Sequence, residues 1–206
     1  MIAGLTKLPR SFYLRPTLQV AKDLLGKYLV RNVKGKRLVG KIVEVEAYGQ
    51  SDPASHSYRG MTERNKVMFD EGGHLYVYFT YGVHFCANVV TREEGVGEAV
   101  LIRALEPIEG IEEMRRNRGS TGNDGNHGNL ANLTNGPAKM CQAFGIDKKL
   151  NGADLTGDEI YIANGEPIRK INIGITTRVG IVNGRDKKWR CYVEGSRFVS
   201  KAKTRT

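Results

Sequence analysis

Apolar positions along the chain follow two spacings, near 3.6 residues in three segments and two residues in a larger number of short runs. Val20, Ala21, Leu24 and Leu25 make the first helical stripe; Thr17 is placed to cap it and Gly26 to end it. Pro107 suits the first position of a second helix from Ile108 to Arg118, whose early Glu109, Glu112 and Glu113 and late Arg115, Arg116 and Arg118 match the helix dipole. Pro137 starts a third, Ala138 to Phe144, stopped by Gly145. The period of two predicts a hairpin of Tyr28 to Val33 and Arg37 to Tyr48 about Lys34-Gly35-Lys36, and a second strand pair over Leu75 to Val90. Further strands are expected at Ala99 to Ala104, Glu159 to Ala163, Ile175 to Val182 and Trp189 to Glu194. Residues 49–65 are polar and irregular, and the Gly/Asn-rich residues 119–132 are expected to form a mobile loop. Without a βαβ rhythm or an internal repeat, the pattern predicts an α+β fold with mostly antiparallel strands.

One strand departs from an ordinary amphipathic pattern. From Ile42 to Tyr48 the alternation puts Glu44, Glu46 and Tyr48 on one face and Val43, Val45 and Ala47 on the other. Two carboxylates in line beside an aromatic make poor core. The aromatic run Leu75-Tyr76-Val77-Tyr78-Phe79 follows, then Thr80-Tyr81-Gly82 and Val83 to Asn88. Tyr81 beside Gly82 sits at the expected hairpin tip, where a bulky aromatic fits insertion between stacked bases. Arg103 is a charge inside an apolar strand, a position that calls for a carboxylate partner. Either Glu44 or Glu46 could be the working carboxylate, and each could equally be structural.

Composition sharpens this picture in two ways. The net charge of +10 is unevenly spread: +9 over residues 1–41, −8 over 42–168 and +9 over 169–206. Basic ends around an acidic middle fit a polyanion held by the termini, or simply a solvated basic surface. The three cysteines, Cys86, Cys141 and Cys191, are scattered and odd in number, which argues against a disulfide framework and for a reducing, intracellular setting. No apolar run reaches the roughly 18 residues of a membrane span, and the N-terminus lacks a signal-peptide core. Gly95-Val96-Gly97 is an incomplete dinucleotide fingerprint; Walker A, GxSxG, HExxH and zinc-deaminase patterns are missing, and the four histidines lack ligand spacing. Neither metal nor cofactor is expected.

Several blocks resemble the alkyladenine (3-methyladenine) DNA glycosylase family. They are Ile42 to Tyr48, Arg64 to Phe69, Leu75 to Gly82, Phe85 to Asn88, Val100 to Pro107, Gly136 to Ala143 and Arg178 to Gly180, in family order across about residues 10 to 200. The resemblance implies a single mixed domain over residues 1–206, with a curved sheet, surrounding helices and a protruding β-hairpin. It implies Glu46 as general base, with Arg103 and the Val179 main-chain carbonyl helping to hold the water. Tyr48, His56 and Tyr78 would line the base pocket, the Ala54 carbonyl would face the exocyclic edge of the base, and Asn88 would obstruct the 2-amino group of guanine. Tyr81 would fill the gap in the duplex and Met68 would lie beside the hairpin at the DNA surface. Arg59, Arg64 and Lys139 are candidates for phosphate contacts.

The expected partner is double-stranded DNA with a damaged purine, bound from the minor groove by a monomer, with no membrane involved; in a bacterium this places the protein in the cytoplasm or nucleoid. The segment from Tyr48 to His56 is about one residue shorter than in similar proteins, and His84 stands where some have tyrosine. The alternatives are a non-catalytic nucleic-acid-binding module, in which Glu46 and Arg103 form only an ion pair, and a small-molecule hydrolase, which leaves Tyr81 and the basic ends unexplained.

Overall fold

Strand β1 (Tyr28–Val33) turns through Lys34 and Gly35, both at positive φ (49° and 72°), into the 13-residue strand β2 (Lys36–Tyr48). Such a two-residue turn matches the twist of the strands it joins. The structure is a computed structural model and describes residues 4–80, 82–119 and 129–200. The remaining strands are β3 (His74–Thr80), β4 (His84–Val90), β5 (Ala99–Glu109), β6 (Ala153–Asp154), β7 (Ile160–Ala163), β8 (Ile173–Thr176) and β9 (Arg190–Val193). Their order is β6-β3-β4-β5-β2-β1-β7, with β9 also against β2 and β8 against β9; the pairings among described residues are antiparallel. Helices α1 (Arg10–Tyr13), α2 (Thr17–Leu24), α3 (Ile111–Asn117) and α4 (Pro137–Ala143) complete the α+β fold.

β2 organises the sheet. β5 pairs along one edge, while the other is shared by β1 at residues 36–41 and β9 at residues 44–46. Glu44 and Glu46 therefore lie in a three-strand interior, not on an edge. The main core includes Leu24, Leu29, Ile42, Val45, Ile102, Leu105, Met114 and Phe144, all 0% exposed. At about 1.5–3 kcal/mol for each large apolar side chain fully buried, these contacts anchor α2, α3 and α4 to the sheet. Gly40 belongs to that packing: a Cβ there would stand 3.0 Å from Leu105 and from the Phe144 ring.

Three expected elements differ. Pro107 lies within β5, paired with Gly40 beside a register shift, and not at a helix start. Proline is tolerated in sheets at such irregularities, and the helix begins only after Gly110, which turns the chain at φ 78°. Thr17 is the first residue of α2 and does not cap it; its hydroxyl is taken by Thr91 and Glu98. The strand expected over Ile175 to Val182 ends at Thr176, because the following segment leaves the sheet to bring the Val179 amide to Glu46. The expected loop at 119–132 falls largely outside the described residues; its last residues enter the 3-10 turn Leu130–Leu133.

Candidate active site

The alternation in β2 is broken at Val43 and Glu44, where the register with β5 shifts on both sides of the Glu44–Ala104 pair. Ile42, Val45 and Ala47 face the main core, whereas Val43 joins Ala104, Ala131 and Phe198 in a separate cluster. The expected face of Val43, Val45 and Ala47 is thus corrected: Val43 lies on the carboxylate side. The irregularity lets β2 stay buried on both faces while Glu44 and Glu46, each 0% exposed, meet the same arginine.

Arg103 donates from Nε to Glu44 Oε1 at 2.9 Å, from Nη1 to Glu46 Oε2 at 3.2 Å and from Nη2 to Ser200 Oγ at 3.2 Å. Glu44 also accepts from Arg190 Nε (2.7 Å), the Ser200 amide (2.6 Å) and Ser200 Oγ (2.8 Å). Burial by itself would raise the Glu44 pKa, but Arg103, the Ser200 amide and Arg190 together hold it below the usual carboxylate range. Glu46 has a different set of neighbours. Its Oε2 accepts from the Tyr48 hydroxyl at 2.9 Å as well as from Arg103, and its Oε1 from the Val179 amide at 2.7 Å. Val179 therefore meets Glu46 through its N–H.

Tyr48, Arg103 and Val179 are also walls of a cavity of about 310 Å³. Ala54, His56, Tyr78 and Asn88 line it too, so the five residues expected to meet the base share one chamber. His56 Nδ1 and the Tyr76 hydroxyl are 2.9 Å apart, and the His56 ring packs edge-on to Tyr78 with centroids 4.5 Å apart. Although His56 is exposed as a residue, partial desolvation of its ring, then the charge of Arg64, hold its pKa below the ordinary value, while burial pushes Tyr76 up to about 12. Burial also raises Tyr48 and Tyr78, reinforced by Glu46 for Tyr48 and by Cys86 for Tyr78. At neutral pH the chamber holds a neutral imidazole and protonated phenols. Asn88 is fixed by its Nδ2, which donates to the Tyr76 carbonyl at 3.1 Å.

The sequence reading overlooked Tyr76, Cys86 and Leu101 as lining residues. Each lies two positions from a residue it named on the same strand, Tyr78, Asn88 and Arg103, so strict alternation would have found them. It also overlooked Gly180 and Ile181, which reach the cavity in a loop and carry no periodic signal.

Residues expected at the DNA surface are distributed differently. Met68 is 2% exposed and forms part of the cavity wall, packed with Phe69, Tyr76 and Val90, so it is not on the outer surface. Tyr81 lies outside the described residues; around it, Phe79 and Val83 are 49% and 67% exposed on the β3–β4 hairpin. Arg59 and Arg64 are exposed, and Arg64 donates to the Phe79 carbonyl near the tip of that hairpin. Lys139 is half-buried and donates to Asn132 and Asn135. Six of the ten lysines and arginines in residues 1–41 are paired within the protein: Lys7, Arg10, Arg15, Lys36, Arg37 and Lys41 meet Asp158, Asp154, Asp23, Glu113, Glu109 and Glu106. Among the described residues no cluster of His, Cys, Asp and Glu is arranged to hold a metal ion, and no helix is long and apolar enough to cross a membrane.

The family model for methylpurine-DNA glycosylase matches residues 11–197. The chain belongs to the methylpurine-DNA glycosylase family. Curated relatives agree over nearly their whole lengths. A protein of Carboxydothermus hydrogenoformans is 54% identical over 195 residues, covering 94% of this chain and 98% of its own. Proteins of Methanoculleus marisnigri and Clostridium novyi are 49% and 47% identical, covering 94% and 95% of this chain and 98% of theirs. All three are provisionally named 3-methyladenine DNA glycosylases. As a family member the chain is a DNA glycosylase, a hydrolase of N-glycosidic bonds with DNA as its substrate, and the reading as a non-catalytic binding module gives way.

Proposed function

We propose that this protein is a monofunctional glycosylase of base excision repair that flips a damaged purine into the cavity and hydrolyses its N-glycosidic bond, leaving an abasic site. One observation carries the reading: three groups that line the cavity, Tyr48, Arg103 and the Val179 amide, all converge on the buried carboxylate of Glu46.

C1′ is unreachable in a stacked duplex, so the nucleotide must be extruded at a cost of a few kcal/mol, less for a damaged base. Tyr81 offsets part of that cost by filling the vacated stack from the minor-groove side. Tyr48, His56 and Tyr78 offer aromatic faces to an electron-poor or cationic base such as 3-methyladenine. With His56 neutral and the phenols protonated, the aromatic lining adds no positive charge to repel such a base. The Ala54 carbonyl faces the exocyclic edge, and Asn88 obstructs the 2-amino group of guanine. Hypoxanthine and ethenoadenine are further candidate substrates.

The nucleophile is water, held by Arg103 and the Val179 carbonyl and admitted between them, since Glu46 is fully enclosed. Glu46 takes its proton as the water oxygen bonds to C1′, and the glycosidic electron pair leaves with the base. The carboxylate charge also stabilises the oxocarbenium-like sugar. Arg59, Arg64 and Lys139 contact phosphates, and the protein acts as a monomer inside the cell.

The test is release of free base from alkylated or deaminated duplex by the wild type and by Glu46→Gln. Normal excision by the variant would remove Glu46 from the mechanism. A covalent enzyme–DNA adduct trapped by borohydride would contradict water as nucleophile.

A further inference from the structure

A second buried ion pair lies apart from the cluster of Glu44, Glu46, Arg103 and Arg190. Arg178 and Asp52 are paired with both side chains 0% exposed. Arg178 Nη1 also donates to the Ala47 carbonyl at 3.1 Å, and Nη2 to the Gly184 carbonyl at 3.2 Å. The guanidinium lies over the Tyr48 ring, 4.7 Å from its centroid, and 5.3 Å from that of Trp189. Asp52 Oδ1 accepts from the Ala54 amide at 3.3 Å, and Lys187 Nζ stands 3.6 Å away. Gly184, at φ 62°, makes this approach feasible: a Cβ would stand 2.7 Å from Asp52 Oδ1.

The pair thus ties three chain segments, each of which supplies a wall of the cavity: the end of β2 with Tyr48, the turn holding Ala54 and His56, and the loop holding Val179 and Ile181. A buried ion pair is weak evidence of stability, because desolvation offsets most of the attraction. Its location between the walls is more telling than its energy.

We propose that Arg178, locked to Asp52, is a positioning residue that sets the Tyr48 ring and the Val179 main chain where they meet Glu46 and the bound base. Val179 follows Arg178 directly, so any shift of Arg178 moves the amide that lies 2.7 Å from Glu46 Oε1. The role needs a planar fork that reaches a carboxylate and two carbonyls while stacking on rings, which lysine cannot supply. The proposal rests on the reading of Glu46 as the base.

The test compares wild type, Arg178→Lys, Asp52→Asn and Glu46→Gln in single-turnover excision from damaged duplex, affinity for undamaged duplex, and emission of Trp189, the single tryptophan. Arg178→Lys is expected to slow excision about 10–10²-fold, as misplaced catalytic groups do, to leave undamaged-duplex affinity unchanged and to alter the Trp189 emission. A wild-type excision rate, or an equal loss of excision and duplex affinity, would overturn the positioning role. Should Arg178→Lys fail to fold, Asp52→Asn carries the same expectation; failure of both to fold would mark the pair as purely structural and also overturn it. Normal excision by Glu46→Gln would remove the base reading and this proposal together, whereas an inactive Glu46→Gln beside a fully active Arg178→Lys would remove only the latter.

Discussion

Glu44 and Glu46 are two residues apart on one strand, are buried to the same degree and share Arg103, yet their surroundings differ in kind. Around Glu44 the polar groups close on themselves: Arg103, Arg190 and Ser200 supply four hydrogen bonds, and none of the three leads from Glu44 into the cavity except through Arg103. Around Glu46 each partner is itself a cavity wall. Burial and charge alone therefore say little about which carboxylate works; what matters is where its partners face. A related distinction holds for the cations, since six of the ten lysines and arginines in residues 1–41 are paired with carboxylates of the same chain while Arg59 and Arg64 stay exposed.

The largest expected effect separates the carboxylates by chemistry. Glu46→Gln should lower single-turnover excision by about 10²–10⁴ while damaged-duplex binding persists in an anisotropy assay. An equal loss from Glu44→Gln, in protein as stable as wild type, would erase the contrast. The next effect separates them by stability. Glu44→Ala leaves Arg103 and Arg190 without their shared carboxylate, and breaking a buried pair typically costs about 3–5 kcal/mol, measurable by urea unfolding.

A smaller effect follows from proton linkage. The folded-state pKa of Glu44 is depressed, so its contribution to stability is present above the unfolded carboxylate value of about 4.3 and is lost as pH falls through the folded value. Glu44→Gln should flatten the acid side of the stability–pH curve, and an unchanged curve would contradict the assignment. His56 has the same sign: its depressed pKa gives a contribution present above about 6.5 that declines as pH falls towards its folded value. The smallest effect concerns the exposed cations. If about six phosphates are neutralised, log K should fall against log salt with a slope near −5. Arg59→Ala should reduce that slope by about one, whereas Lys36→Ala, whose ammonium is bound to Glu113, should leave it unchanged.

Much of the architecture was legible in the chain. Apolar and β-branched runs punctuated by Lys34-Gly35 and Gly82 located the β1–β2 and β3–β4 hairpins, and the helix at Pro137 followed from proline start and glycine stop. The failures share a cause. Pro107 carries a local signal for a helix start and Thr17 one for a helix cap, and tertiary partners overrode both: Pro107 pairs in β5, while α2 does begin at Thr17 but with the hydroxyl turned to Thr91 and Glu98. Alternation failed at Val43 because a register shift depends on the partner strand as much as on β2 itself. Of the candidate site, the face of Glu44, Glu46 and Tyr48 and the buried charge of Arg103 could be read from type and spacing, and the resemblance to known glycosylases supplied the roles of Ala54, His56, Tyr78, Asn88 and Val179. The clamp of Arg178 and Asp52 had no signal, since 126 residues separate its halves.

The sequence by itself determined the α+β class, the family and the set of side chains able to carry the chemistry, because these depend on residue type and on repeats a few positions long. Only the tertiary structure decided which carboxylate has partners that line the cavity, which N-terminal cations are paired within the chain and that Met68 is a wall and not a surface contact. Those outcomes depend on distances between residues remote in the chain, where hydrogen-bond saturation and burial are set by neighbours that local spacing does not specify.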